Sequence, residues 1–168
     1  MADGRTLANN MAQRFLSQPN ELDELDLALA AALQRNARAT YAELGAAVGL
    51  KPPATHERVR RLEERGIVRG YGARLDPRKL GLELVAFVSC FTTPELRDED
   101  FVGTVSDLPE VVEIHSVAGD ESYILKVVTR STTHLDQFLT RLRVIPGVGR
   151  TKTTVVLSTP FEREGYPL

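Results

Sequence analysis

Three arginines, Arg58, Arg61 and Arg65, recur three and four residues apart in a segment that carries Thr55, Val59 and Leu62 at the same period. On a helix turning 100° per residue the arginines fall within an arc of about 60°, beside the apolar set. Guanidinium groups lined up in this way neutralise a row of phosphates while the apolar set packs inward. The end of the segment that would lead into a groove holds Pro53, Ala54, His56 and Glu57, placed to meet base edges. With the flanking cations, the candidate polyanion-contacting set is Lys51, Pro53, Ala54, Thr55, His56, Glu57, Arg58, Arg60, Arg61, Arg65 and Arg69. Glu57, Glu63 and Glu64 are interleaved with it, so a solvated helix laced with ion pairs is the alternative reading.

Other chemistry has little to work with. His56, His115 and His134 are scattered, and Cys90 lies in an apolar strand where a buried, inert thiol is the usual state. No spacing suggests a zinc site or a phosphate loop, so no catalytic residue, metal or cofactor is expected. The single cysteine excludes an internal disulfide, and no basic start followed by an apolar block opens the chain. The longest apolar runs, such as residues 84–88, are far shorter than the roughly 20 residues of a membrane span. A cytoplasmic protein is the expectation.

The 168 residues allow one ordinary domain or two small ones, and the charge pattern favours two. Residues 22–81 carry a net +3 and residues 82–168 a net −5, with +5 concentrated in residues 51–79. A basic, polyanion-facing module joined to an acidic one is the implied arrangement.

The elements that would position the arginines follow from spacing. Leu22, Leu25, Leu29 and Leu33 mark a first helix with Asp23, Glu24 and Asp26 in its opening turn. Thr40-Tyr41-Ala42-Glu43 has the form of a capping box, and Gly49 ends the helix that follows it. Pro52 and Pro53 suit the first turn of a third helix, which runs through the arginines to Gly66. This is a helix-turn-helix, and residues 67–75, with Gly70-Tyr71-Gly72 as a turn, read as a hairpin wing. Residues 1–21 read as an arm with a short helical stretch near residues 7–16.

From residue 82 the period changes. The order is strand 84–93, helix 96–107, strand 110–117, strand 122–129, helix 132–143 and strand 148–158. Residues 22–76 thus form a winged helix-turn-helix, 77–81 a linker, 82–160 a ferredoxin-like βαββαβ domain and 161–168 a tail, an α+β chain. The first strand is apolar on both sides, Leu84, Ala86, Val88 and Cys90 against Val85, Phe87 and Phe91. Helices cover one face, so a second copy of the chain is expected on the other.

The order and several motifs resemble the Lrp/AsnC family of transcription regulators. Leu22-Asp23, Asn36-Ala37-Arg38, Ala42-Glu43-Leu44, Gly49-Leu50, Glu57-Arg58-Val59-Arg60-Arg61-Leu62-Glu63, Gly66-Ile67, Gly70-Tyr71, Leu75-Asp76-Pro77 and Leu80-Gly81 carry the N-terminal likeness. Val117-Ala118-Gly119-Asp120, Tyr123-Ile124-Leu125 and Pro146-Gly147-Val148 carry the C-terminal one. Lys51 stands where the family usually has a capping Ser, and Ser122 where many members have a second acid. The resemblance implies double-stranded DNA as partner, and a homodimer assembling further, commonly to an octamer. It also implies a small effector, an amino acid, near Ser116, Gly119, Asp120, Ser122 and Tyr123. Backbone N–H groups of such a loop suit a carboxylate and Asp120 suits an ammonium, whereas an ordinary β-turn is the plainer reading. A sirohaem-decarboxylase-like enzyme of the same architecture, with His115 as its first candidate residue, and a nonspecific architectural DNA binder are the alternatives.

Overall fold

The computed structural model describes residues 22–163 and 165–168, so the arm assigned to residues 1–21 lies outside the described residues. The described residues divide into two units: one holds residues 22–73 together with residues 163 and 165–168, the other Arg74–Glu162.

In the first unit, α1 (Glu24–Arg35) opens on Asp23, whose carboxylate accepts the Asp26 N–H at 2.7 Å. The capping box is formed at α2 (Tyr41–Val48). Thr40 Oγ1 accepts the Glu43 N–H at 3.2 Å, Glu43 Oε2 accepts the Thr40 N–H at 2.7 Å, and Gly49 ends the helix at φ 75°. α3 (Pro52–Glu64) has both prolines in its first turn and no side-chain cap at Lys51. α2 and α3 approach so closely that a Cβ on Gly45 would sit 2.4 Å from the Leu50 carbonyl oxygen and 2.7 Å from Thr55 Oγ1. Leu29, Leu33, Leu44, Val59 and Leu62 form the core of these three helices.

The wing is not a hairpin in this chain. Residues 67–75 contain no strand. The N–H groups of Ile67 and Val68 both turn back to the Leu62 carbonyl, and the Tyr71 hydroxyl donates to Glu63 at 2.7 Å. Those bonds tie the segment to the end of α3, and a lone two-stranded ribbon has too little to bury to compete.

The second unit runs through a 3₁₀ turn (Arg78–Leu80), β1 (Leu84–Thr92), α4 (Asp98–Ser106), β2 (Val111–Ser116), β3 (Tyr123–Thr129), α5 (Thr132–Arg143) and β4 (Val148–Val155). The antiparallel sheet has the order β2-β3-β1-β4, the ferredoxin-like arrangement. α4 begins two residues later than its apolar spacing suggests, because the Leu96 N–H bonds to Thr93 O in a turn after β1. β4 stops at Val155 rather than 158; Val156 still bonds to Val85 O before Pro160, which has no N–H for a ladder. Phe101, Val105, Leu135, Phe138, Leu139 and Leu142 of the helices seal Ala86, Val88, Cys90, Leu125 and Val127 on one sheet face. Burial there pushes the Cys90 thiol up to about 12, which fits an inert packing role.

The other face carries Val85, Phe87 and Phe91 of β1 beside Ile124 and Val128 of β3, and no helix of the unit covers it. Phe87 is 41% exposed. Lys126 lies within this patch opposite Phe87, and Glu113 and His115 border it on β2, with Glu113 bonded to both His115 and Lys126 at 2.9 Å. The Arg150 guanidinium lies 3.9 Å from the centre of the Phe91 ring.

Candidate nucleic-acid interface and effector loop

α3 turns Thr55, Val59 and Leu62 inward, and this sorts the candidate residues. Thr55 is removed from the interface: it is fully buried and its hydroxyl donates to Lys51 O at 3.1 Å, because the crossing at Gly45 needs a small side chain there. Pro53, Ala54, His56, Glu57, Arg60 and Arg61 are exposed on α3, as are Lys51 before it and Arg69 beyond it, and Arg65 is half-buried. His56 is seated edge-on against Tyr41, ring centroids 4.8 Å apart at 77°. Tyr41 opens α2 beside the box residue Thr40, and nothing in its spacing along the sequence connects it to His56.

Arg58 has a different role from its neighbours. Its Nη1 bonds to Asp23 Oδ2 at 2.6 Å and Asp26 Oδ1 at 2.7 Å, and its side chain is 22% exposed. The guanidinium holds the Asp23 carboxyl below its usual range, so the clamp contributes at neutral pH and is lost as acid protonates Asp23. Sequence spacing placed Arg58 along phosphate with Arg61; the fold assigns its charge to the start of α1. Asp26 is buried, so Arg58→Met would leave a desolvated carboxylate without its partner. The expected cost is about 1–3 kcal/mol, read as a lowered thermal midpoint, whereas Arg61→Gln on the exposed face should leave the midpoint unchanged. Equal midpoints for Arg58→Met and the parent would show that the clamp carries no stability.

The loop between β2 and β3 is closed by Val117 N–H to Ser122 O at 3.1 Å, and Ser116 pairs across it with Tyr123. Ser116, Gly119 and Asp120 are exposed. Gly119 has no positive φ, and a Cβ there would meet only Glu121 Oε2 at 3.8 Å, so the turn itself does not require glycine. Ser122 is tied to β1: its N–H bonds to Cys90 O at 2.9 Å, and its hydroxyl accepts from Thr92 Oγ1 at 2.8 Å and from Thr92 N–H at 3.3 Å.

Tyr123 stands apart from the exposed members of the set. Its ring is buried and stacked on Phe101 at 4.2 Å, and its hydroxyl donates to Asp98 at the start of α4. Burial first, and Asp98 second, push its phenol up to about 12. Thr92, Asp98 and Glu121 therefore belong to this neighbourhood although spacing pointed to none of them. Glu121 could have been found from its place in the loop; the other two are brought in by sheet pairing and helix packing. Among the described residues, no three His, Cys, Asp or Glu side chains group to hold a metal ion, and no helix is long and apolar enough to cross a membrane.

Comparison with known proteins bears on both units. A model of the AsnC-type helix-turn-helix domain matches residues 22–63, and one of the Lrp/AsnC ligand binding domain matches residues 85–166. LrpA, an HTH-type transcriptional regulator of Mycobacterium tuberculosis, is 40% identical over 147 residues, spanning 87% of this chain and 97% of its own. A transcriptional regulator of Neisseria meningitidis solved as an L-Met complex superposes with a TM-score of 0.82 at 31% identity, covering 88% of this chain and 97% of that one. A feast or famine regulatory protein of M. tuberculosis complexed with L-methionine gives 0.80 at 37% identity, covering 87% and 99%.

Proposed function

The chain belongs to the Lrp/AsnC family of transcription regulators, and from that premise we propose that it binds duplex DNA through α3 as a dimer whose binding responds to a free amino acid. L-methionine is the first candidate, since two similar structures hold it. The observation that carries the reading is the two-part build itself. One unit presents an exposed helix face with Lys51, Arg60 and Arg61, and the other presents a sheet with one sealed and one open apolar face. Closure of that face by a second copy supplies two-fold symmetry, and a two-fold symmetric binder reads paired half-sites about one DNA turn apart, or a multiple of it. Further gathering of dimers, to an octamer, follows the family habit. The effector sits at Ser116, Gly119, Asp120 and Ser122, with Tyr123 behind them as packing. Backbone N–H groups take its carboxylate and Asp120 its ammonium.

A salt titration of duplex binding tests the DNA half. Affinity should fall linearly on a log–log plot, and replacing Lys51 and Arg61 by Gln together, which removes two contacts from each subunit of the dimer, should reduce the slope by roughly 4, since each neutralised phosphate contributes about 0.9. The loss should be the same on every duplex sequence, because phosphate contacts carry no sequence information. A double variant with the parent's slope and affinity would remove this face of α3 from the interface.

A further inference from the structure

The face of α3 opposite its buried stripe is a ridge of Pro53, Glu57, Arg60 and Glu64, spanning about 60° of the helix at 100° per residue. Its one cation is held by two acids. Arg60 Nε lies 3.2 Å from Glu57 Oε2 and Nη2 lies 2.7 Å from Glu57 Oε1, a two-point fork, and Nη1 bonds to Glu64. Arg60 in turn holds the Glu57 carboxyl below its usual range, so the fork is charged at neutral pH. A flexible arginine meant only to neutralise phosphate gains nothing from this arrangement, because the two acids outweigh its charge and repel the DNA backbone.

The fork has a use in base reading. A guanidinium has five N–H groups, and these bonds take three, leaving two, the number that a bidentate contact to guanine N7 and O6 requires. We propose that Arg60 is the guanine-reading residue of this regulator, with Glu57 as the residue that positions it. The inference rests on the DNA-binding reading above and goes beyond it. Glu57 fixes the plane of the guanidinium before DNA arrives, so less side-chain freedom is lost on contact. Glu57 and Glu64 also weaken binding to phosphate alone, which widens the gap between the correct site and any other. Arg61, outside the ridge, keeps the phosphate role.

The test is selection from a randomised duplex pool by the full chain and by R60K, E57Q and R61Q, with thermal unfolding as the folding control. The parent should enrich guanine at one position of each half-site. R60K keeps the charge but loses the fork, and should lower that enrichment roughly tenfold to a hundredfold, with affinity for mixed-sequence duplex changed far less. E57Q should relax the same position and raise mixed-sequence affinity, and R61Q should lower affinity evenly with the guanine preference intact. R60K that keeps the preference, or that weakens all sequences alike, overturns the assignment. E57Q that relaxes a different position overturns the positioning role, because Glu57 would then read a base of its own. A parent that binds duplex but enriches no sequence overturns the inference and leaves an architectural binder, and one that binds no duplex fails the DNA-binding reading itself.

Discussion

Phe87→Glu should convert the protein from an assembled species to a monomer at micromolar concentration, with the second unit still folded. Phe87 is at the middle of β1, paired with Lys126 on β3 and Thr154 on β4, and with Val85, Phe91, Ile124 and Val128 it makes the open face. Because it is 41% exposed in the single chain, a glutamate there costs the fold little. In a dimer closed through this face the same carboxylate would be desolvated beside apolar groups and a Lys126 already bonded to Glu113. Removing an unpaired carboxylate from water costs several kcal/mol, and dimerisation at micromolar strength is worth about 8 kcal/mol in all. A weakening of at least a hundredfold is expected by light scattering or sedimentation, along with loss of tight binding to paired half-sites. A parent that is monomeric at micromolar concentration, or a variant that assembles like the parent, would show that something else covers the face.

Gly119→Val should abolish the response to the amino acid. The native turn tolerates the change, since Gly119 has no positive φ and a Cβ would meet only Glu121 Oε2 at 3.8 Å. A lost response would therefore report crowding of a ligand and not a broken loop. If occupancy favours one assembly over another, a coupling of about 1–3 kcal/mol changes DNA affinity from several-fold to about a hundredfold. Calorimetry against the twenty amino acids, L-methionine first, gives the parent its ligand. The difference between DNA-binding curves with and without that ligand should collapse in the variant. If no amino acid binds the parent below millimolar and none moves its DNA curve, the sensing reading fails. If the variant responds as the parent does, the effector lies away from this loop.

Much of the fold was legible because the signals are local. The Thr40–Glu43 box, the prolines opening α3 and the stop at Gly49 depend on residues within one turn, and each formed where the spacing placed it. α5 spans residues 132–143 as its apolar period indicates. The wing was misread because a glycine-rich turn is compatible with any exposed extended segment. Here Ile67, Val68 and Tyr71 tie it back to α3.

Within the candidate sites, the sequence by itself determined the residue types, the helix that carries the arginines and the two-sided apolar character of β1, all properties of one segment. The tertiary structure decided which of those residues are available. It assigned Arg58 to Asp23 and Asp26, sealed Thr55 against the α2–α3 crossing, buried Tyr123 against Phe101, and brought Thr92 to Ser122 across the sheet. The physical reason is that helical period fixes the direction in which a side chain leaves its own backbone. Its charge or hydroxyl is then claimed by whichever group another element brings within about 3 Å, and that partner lies far away in sequence.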